Sequence, residues 1–255
     1  MGGVCDTSLN ADWRDAPNFE ERRNNLSPSL LIMHYTGMES AQAALDILCS
    51  PESNVSCHYL VDEQGVITQM VAEQHRAWHA GRAHWAGEND INSCSIGIEI
   101  VNEGHVLELQ PFPDQQIKAV MALSHDILNR HDILPRNVIG HSDIAPARKK
   151  DPGEKFPWSR LYENGIGHYV EPDPIGDDPG FGIGDTNVDI AKSQYLLAQY
   201  GYLIGEDGHF DETTDFVVRA FQRHFRPLKI DGRLDHSTIM TLKHLSETLQ
   251  PNITS

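Results

Sequence analysis

No stretch of this chain stays apolar for the roughly 18 residues that a membrane-spanning helix needs, and its opening, MGGVCDTSLNADWRD, has no basic segment followed by an apolar core. Neither a bilayer span nor an export signal is therefore expected in it. Basic residues are scarce as well: 20 Lys and Arg stand against 37 Asp and Glu, a formal charge of −17. That imbalance repels phosphate backbones and anionic lipid, which excludes nucleic acid and acidic membranes as main partners. The four cysteines, Cys5, Cys49, Cys57 and Cys94, include no close-spaced pair of the kind that cages a structural zinc ion. They are expected as free thiols.

What is present divides unevenly. VEPDPIGDDPGFGIGD, residues 170–185, carries three prolines, four glycines and several aspartates, and reads as an extended linker. It separates a larger part, 1–169, from a smaller one, 186–255. The smaller part contains an echo, DGHFDETT from Asp207 and DGRLDHST from Asp231. In each copy Asp-Gly forms a turn, an apolar residue follows (Phe210, Leu234), and an aspartate (Asp211, Asp235) can cap the next helix. Val217, Phe221 and Phe225 share one helical face, as do Ile239, Leu242 and Leu245, and VDIAKSQYLLAQYGY supplies an earlier helix. A three-helix module is the expectation.

In the larger part, SLLIMHYTG is a short apolar run suited to a strand buried on both faces, with His34 where it runs out. CSIGIEIVN alternates, Ile96, Ile98 and Ile100 on one face and Gly97, Glu99 and Val101 on the other, the period of a half-buried strand. YLVDEQGVITQMV reads as a hairpin about Gln64-Gly65, PDQQIKAVMALSHDILNR as a helix capped by Asp114, SAQAALDIL as a shorter helix, and NVIGHSD as a brief strand ending at His141. Strands alternating with helices predict an α/β domain, a mixed sheet flanked by helices.

Two of the 14 histidines, His34 and His141, fall just past strand ends, where open sheets collect binding groups. His75, His105, His125, His131, His168, His209, His224, His236 and His244 read instead as surface or helix-face residues. GHSDIAPARKKDPG adds Asp151 before Pro-Gly, on a loop long enough to return its carboxylate to His141. Two imidazoles and one carboxylate make the open three-ligand zinc site of a hydrolase, in which a metal-held water has its pKa lowered toward about 7. Glu99, in the middle of an isoleucine strand, fits a general base, because an idle buried carboxylate costs several kcal/mol. Lys149 or Lys150, on the loop carrying Asp151, fits the cation that faces a developing oxyanion.

Together MHYTGM, CHYLVDEQG, AWHAGRAHWAG, INSCSIGIEIVN and GHSDIAPARKKDPG with the following FPW resemble the zinc-dependent N-acetylmuramoyl-L-alanine amidases of the AmpD and AmiD type, relatives of phage amidase lysozymes and peptidoglycan recognition proteins. The smaller part resembles the peptidoglycan-binding module attached to bacterial wall hydrolases. The resemblance implies that His34, His141 and Asp151 hold one Zn2+, that Glu99 is the general base and Lys149 the oxyanion stabiliser, and that Arg148, His79 and Asn92 line the groove for the muramyl peptide.

The function so implied is hydrolysis of the amide between N-acetylmuramic acid and L-alanine in peptidoglycan or muropeptides, with the module tethering the enzyme to polymeric wall and the cell envelope as its place. Cytosolic recycling of anhydro-muropeptides is the competing role for the same chemistry. A non-catalytic peptidoglycan sensor is the alternative of another class; relatives of that kind typically lose a metal ligand, whereas all three are present here.

Overall fold

The computed structural model describes residues 3–249; the outermost residues of the two expected parts, 1–2 and 250–255, lie outside them. In chain order the strands are β1 (Ala11–Trp13), β2 (Phe19–Glu21), β3 (Leu30–Tyr35), β4 (Tyr59–Val61), β5 (Ile67–Gln69), β6 (His75–Ala77), β7 (Ser95–Ile100) and β8 (Val138–Gly140). The helices are α1 (Ala41–Leu48), α2 (Ile91–Cys94), α3 (Gly104–Leu107), α4 (Asp114–Arg130), α5 (His141–Ile144), α6 (Trp158–Glu163), α7 (Val188–Tyr200), α8 (Glu212–Phe225) and α9 (His236–Glu247).

Six strands form one mixed sheet in the order β1-β5-β4-β7-β3-β8, and β2 pairs with β6 in a small antiparallel ribbon. The run β4-β7-β3-β8 is parallel, so the chain leaves all four strands at the same edge. β7 is therefore central rather than half-exposed: Ile96, Ile98 and Ile100 are fully buried on one face, and Gly97 is buried on the other. A side chain at Gly97 would collide with the His79 ring, since a Cβ there would stand 2.6 Å from Nδ1. The expected hairpin forms between β4 and β5, where Gly65 takes a φ of 81° and the Asp62 carboxylate accepts the amides of Gln64 and Val66.

α4 buries Ile117, Val120, Met121, Leu123 and Ile127 against the sheet, as its spacing predicts. Asp114 does not cap it: Pro113 holds the cap position, and the Asp114 carboxylate pairs with Lys118 and Arg160 instead. All four cysteines are free thiols, and no described helix is long and apolar enough to cross a membrane.

The small module forms as its repeat predicts. Asp211 and Asp235 cap α8 and α9 by accepting the amides of Thr214 and Thr238, and Phe210 and Leu234 are buried behind the turns. Each Asp-Gly turn is also clamped by a buried glutamine of the preceding helix: Gln194 accepts the Gly208 amide, and Gln222 accepts those of Asp231 and Gly232.

Residues 170–185 hold no helix or strand, but they are not a free spacer. Phe181 bridges to Leu234, Arg233 donates to the carbonyls of Pro179 and Gly180, and Asp178 accepts the His236 amide. Module and larger domain share one apolar core, in which Trp85 meets the edges of Tyr200 and Tyr202, and Tyr169 stacks on Phe225. His224, expected on a surface, is 3% exposed and stacks on Trp158 at 3.9 Å.

Candidate active site

The parallel strands deliver the site. His34 is the penultimate residue of β3, Glu99 holds the same place in β7 and is its register partner, and β8 ends one residue before His141. The loop after α5 turns back so that the Ser142 amide donates to the Asp151 carbonyl at 2.9 Å, which brings the Asp151 side chain beside His141.

His34 Nδ1 lies 2.9 Å from His141 Nδ1 and 3.1 Å from Asp151 Oδ2, and His141 Nδ1 lies 2.9 Å from the same oxygen. All three residues are buried, and their ligand atoms fall within 4.8 Å of one another. The far ring nitrogens are spoken for: His141 Nε2 donates to the Ala80 carbonyl at 3.0 Å, and His34 Nε2 stands 2.9 Å from His79 Nδ1. His79 Nε2 in turn meets Ser95 Oγ, whose hydroxyl donates to the Ile91 carbonyl. One proton order satisfies this chain: His34 donates to His79, His79 to Ser95 and Ser95 to Ile91. It leaves the His34 Nδ1 lone pair pointing at its two partners.

Burial, then the neighbouring His141, holds His34 down to about 4, so the ring is neutral at neutral pH. Burial pushes Asp151 upward, but His141 and His34 outweigh it and keep the carboxyl well below its usual range. The neutral His34 ring and the ionised Asp151 carboxylate are in the donor states that a divalent ion requires. Their spacing also fits, since tetrahedral ligands about 2.0–2.1 Å from a metal stand about 3.3 Å apart.

Beside this triad a cleft of about 510 Å³ opens, walled by Tyr35, Met38, Trp78, Glu99, His105 and Lys149 among others. Glu99 Oε2 is buried without a hydrogen-bond partner. Burial, followed by repulsion from Asp151, raises this carboxyl well above its ordinary value, while Lys149 acts in the opposite sense. β7 lies inside the sheet rather than at its edge, and Glu99 is half-buried where it borders the cleft. Lys150 also borders the cleft but is exposed.

The residues expected along the groove take different places. Arg148 does border the cleft, where it donates to the carbonyls of Ala80 and Arg82. His79 reaches the cleft wall, yet its ring nitrogens serve His34 and Ser95 behind the triad. Asn92 is not a groove residue: buried, its side-chain oxygen accepts the amides of His79 and Ala80 and so holds the turn that supports both imidazoles. Sequence reasoning missed Ser95, Asp143, Tyr202 and His224. No periodicity marks them, because their partners lie on other elements.

The family model of the N-acetylmuramoyl-L-alanine amidases matches residues 24–154, and a model for a peptidoglycan-binding domain matches residues 186–242. The N-acetylmuramoyl-L-alanine amidase AmiD of Escherichia coli is 39% identical over 223 residues, 82% of this chain and 79% of its own length. The 1,6-anhydro-N-acetylmuramyl-L-alanine amidase AmpD of Haemophilus influenzae is 33% identical over 163 residues, 57% of this chain and 86% of its own. Among solved structures, E. coli AmiD bound to anhydro-N-acetylmuramic acid-L-Ala-D-gamma-Glu-L-Lys superposes with a TM-score of 0.74 at 36% identity, covering 89% of this chain and 92% of its own. AmpDh3 of Pseudomonas aeruginosa, in complex with anhydromuramic pentapeptide, does so with a TM-score of 0.71 at 31% identity, covering 97% and 98%.

Proposed function

This chain belongs to the N-acetylmuramoyl-L-alanine amidase family, and we propose how its cleft carries out the reaction. It is a hydrolase of the amide between N-acetylmuramic acid and the L-alanine of a cell-wall peptide. The observation that carries the mechanism is the convergence of His34 Nδ1, His141 Nδ1 and Asp151 Oδ2 at one edge of the sheet, all three buried.

These three residues would hold one Zn2+, which when bound would supply a water of lowered pKa, toward about 7, and a Lewis acid for the scissile carbonyl. Glu99 takes a proton from the attacking water and passes it to the departing alanine nitrogen, which its burial and raised proton affinity favour. The Lys149 ammonium faces the oxygen that gains charge as the carbonyl is attacked. Arg148, on the cleft border, offers its guanidinium to a carboxylate of the peptide.

The substrates are muramyl peptides with a 1,6-anhydro end and, through the C-terminal module, wall fragments that carry them. Support comes from the two relatives solved with anhydromuramyl peptides and from the match of residues 186–242. The cell envelope, where such polymer lies, is the compartment of this reading. Mass spectrometry of an anhydromuramyl tripeptide incubated with the protein tests it: the expected products are anhydro-N-acetylmuramic acid and a peptide with a free alanine amine. EDTA should abolish the reaction and Zn2+ restore it. Intact substrate, or turnover indifferent to chelation, would overturn the reading.

A further inference from the structure

Asp143 is 1% exposed, two residues beyond His141, and its carboxylate accepts three hydrogen bonds. Oδ2 takes the Gly140 amide at 2.8 Å and His224 Nδ1 at 2.8 Å; Oδ1 takes the Tyr202 hydroxyl at 2.6 Å. Only the first donor comes from the larger domain. The other two are separated from Asp143 by 59 and 81 positions and belong to the C-terminal module.

Gly140 is the N-cap of α5, whose first residue is His141. The same short helix sends the Ser142 amide to the Asp151 carbonyl. A carboxylate locked at Asp143 thus fixes the turn from which two of the three proposed ligands are hung. Water is kept away from it by aromatic rings, since Trp158 stacks on His224 and Trp85 meets Tyr202 edge-on at 5.0 Å. In such surroundings a buried acceptor depends on protein donors alone.

We propose that Tyr202 and His224 are positioning residues for the metal site, so that the C-terminal module completes the active site through Asp143 as well as binding wall material. The proposal rests on the reading of His34, His141 and Asp151 as zinc ligands. Groups that orient ligands from behind typically change metal affinity by about 10- to 100-fold when removed.

Zinc dissociation constants of the full-length chain, measured by chelator competition, test this. Tyr202→Phe keeps the ring and removes the hydroxyl; His224→Phe keeps a ring against Trp158 and removes the Nδ1 donor. Each is expected to weaken zinc binding roughly 10-fold or more. Tyr200→Phe is the control, because its hydroxyl lies in the same interface but meets His168 at 3.1 Å and not Asp143; its zinc affinity should stay within about twofold of native, well short of the effect expected on the Asp143 route. His224→Asn, which can restore a donor, should recover part of the loss. Near-UV circular dichroism confirms that each variant is folded at the temperature used. Native affinity in Tyr202→Phe, or equal weakening in all three aromatic variants, would overturn the proposal. A native chain that takes up no zinc would instead overturn the metal reading, and this inference with it.

Discussion

His34 Nε2 stands 2.9 Å from Nδ1 of His79, and this contact decides which nitrogen of His34 faces the site. Because His79 spends its own N–H on Ser95, its Nδ1 can only accept, so His34 must carry its proton on Nε2. A family resemblance alone assigns His79 to the substrate groove; the geometry gives it the prior task of orienting His34.

His79→Ala separates the two roles. Loss of the acceptor should weaken zinc binding by roughly 10- to 100-fold while KM at saturating zinc changes little. Chelator competition and steady-state kinetics on one preparation measure both. A raised KM with native metal affinity would return His79 to the groove wall.

Glu99→Gln keeps size and removes the proton acceptor. The variant should bind zinc, melt no lower than the native chain and lose about 100-fold or more in kcat. The melting point is informative because Glu99 Oε2 has no hydrogen-bond partner to forfeit. Native turnover in this variant would take Glu99 out of the mechanism.

Two adjacent lysines give a built-in comparison. Lys149→Ala should reduce kcat/KM by roughly 100- to 1,000-fold, the usual effect of losing an oxyanion-stabilising group. Lys150→Ala, at an exposed position, should stay within a few-fold of native, an effect far below that of losing the oxyanion cation. Equal losses, or the reverse order, would reassign the cation.

Acid stability should depend on a site remote from catalysis. Glu73 is buried and accepts from Arg130 at 2.6 Å, His131 at 2.7 Å and Tyr59 at 2.7 Å. Burial pushes its carboxyl up, but bonds from His131, Arg130 and Tyr59 prevail and bring it down to about 2. A carboxyl lowered on folding stabilises the native state above its unfolded pKa of about 4.3, and that contribution is lost as pH falls toward the folded value. A shift of this size corresponds to something on the order of 3 kcal/mol. Urea midpoints should therefore fall between about pH 5 and 2 in the native chain, and Glu73→Gln should be less stable at pH 7 with a flatter acid limb.

Much of the site was legible because its signals are local. His34 and His141 announce themselves by standing where apolar strands run out, Glu99 by standing in the middle of an isoleucine strand, and Asp151 by the Pro-Gly turn after it. The caps Asp211 and Asp235 and their buried partners Phe210 and Leu234 likewise follow from chemistry within a few residues. The same local reasoning erred where a distant element supplied the decisive contact. His224 reads as a surface or helix-face residue until Trp158 covers it, and Asn92, which the family resemblance places along the groove, instead accepts the amides of His79 and Ala80.

Hydrophobic period, turn residues and charge alone determined that this chain builds a mixed sheet with helices, a three-helix module, and two histidines with a carboxylate in reach of one another. Only the tertiary structure decided the order of strands that made β7 central, the proton direction through His34, His79 and Ser95, and the docking of Tyr202 and His224 on Asp143. The physical reason is range. Backbone preference and periodicity act over a turn or two of chain, whereas a buried polar group takes whichever donor packing brings to it, which for Asp143 comes from 81 residues away.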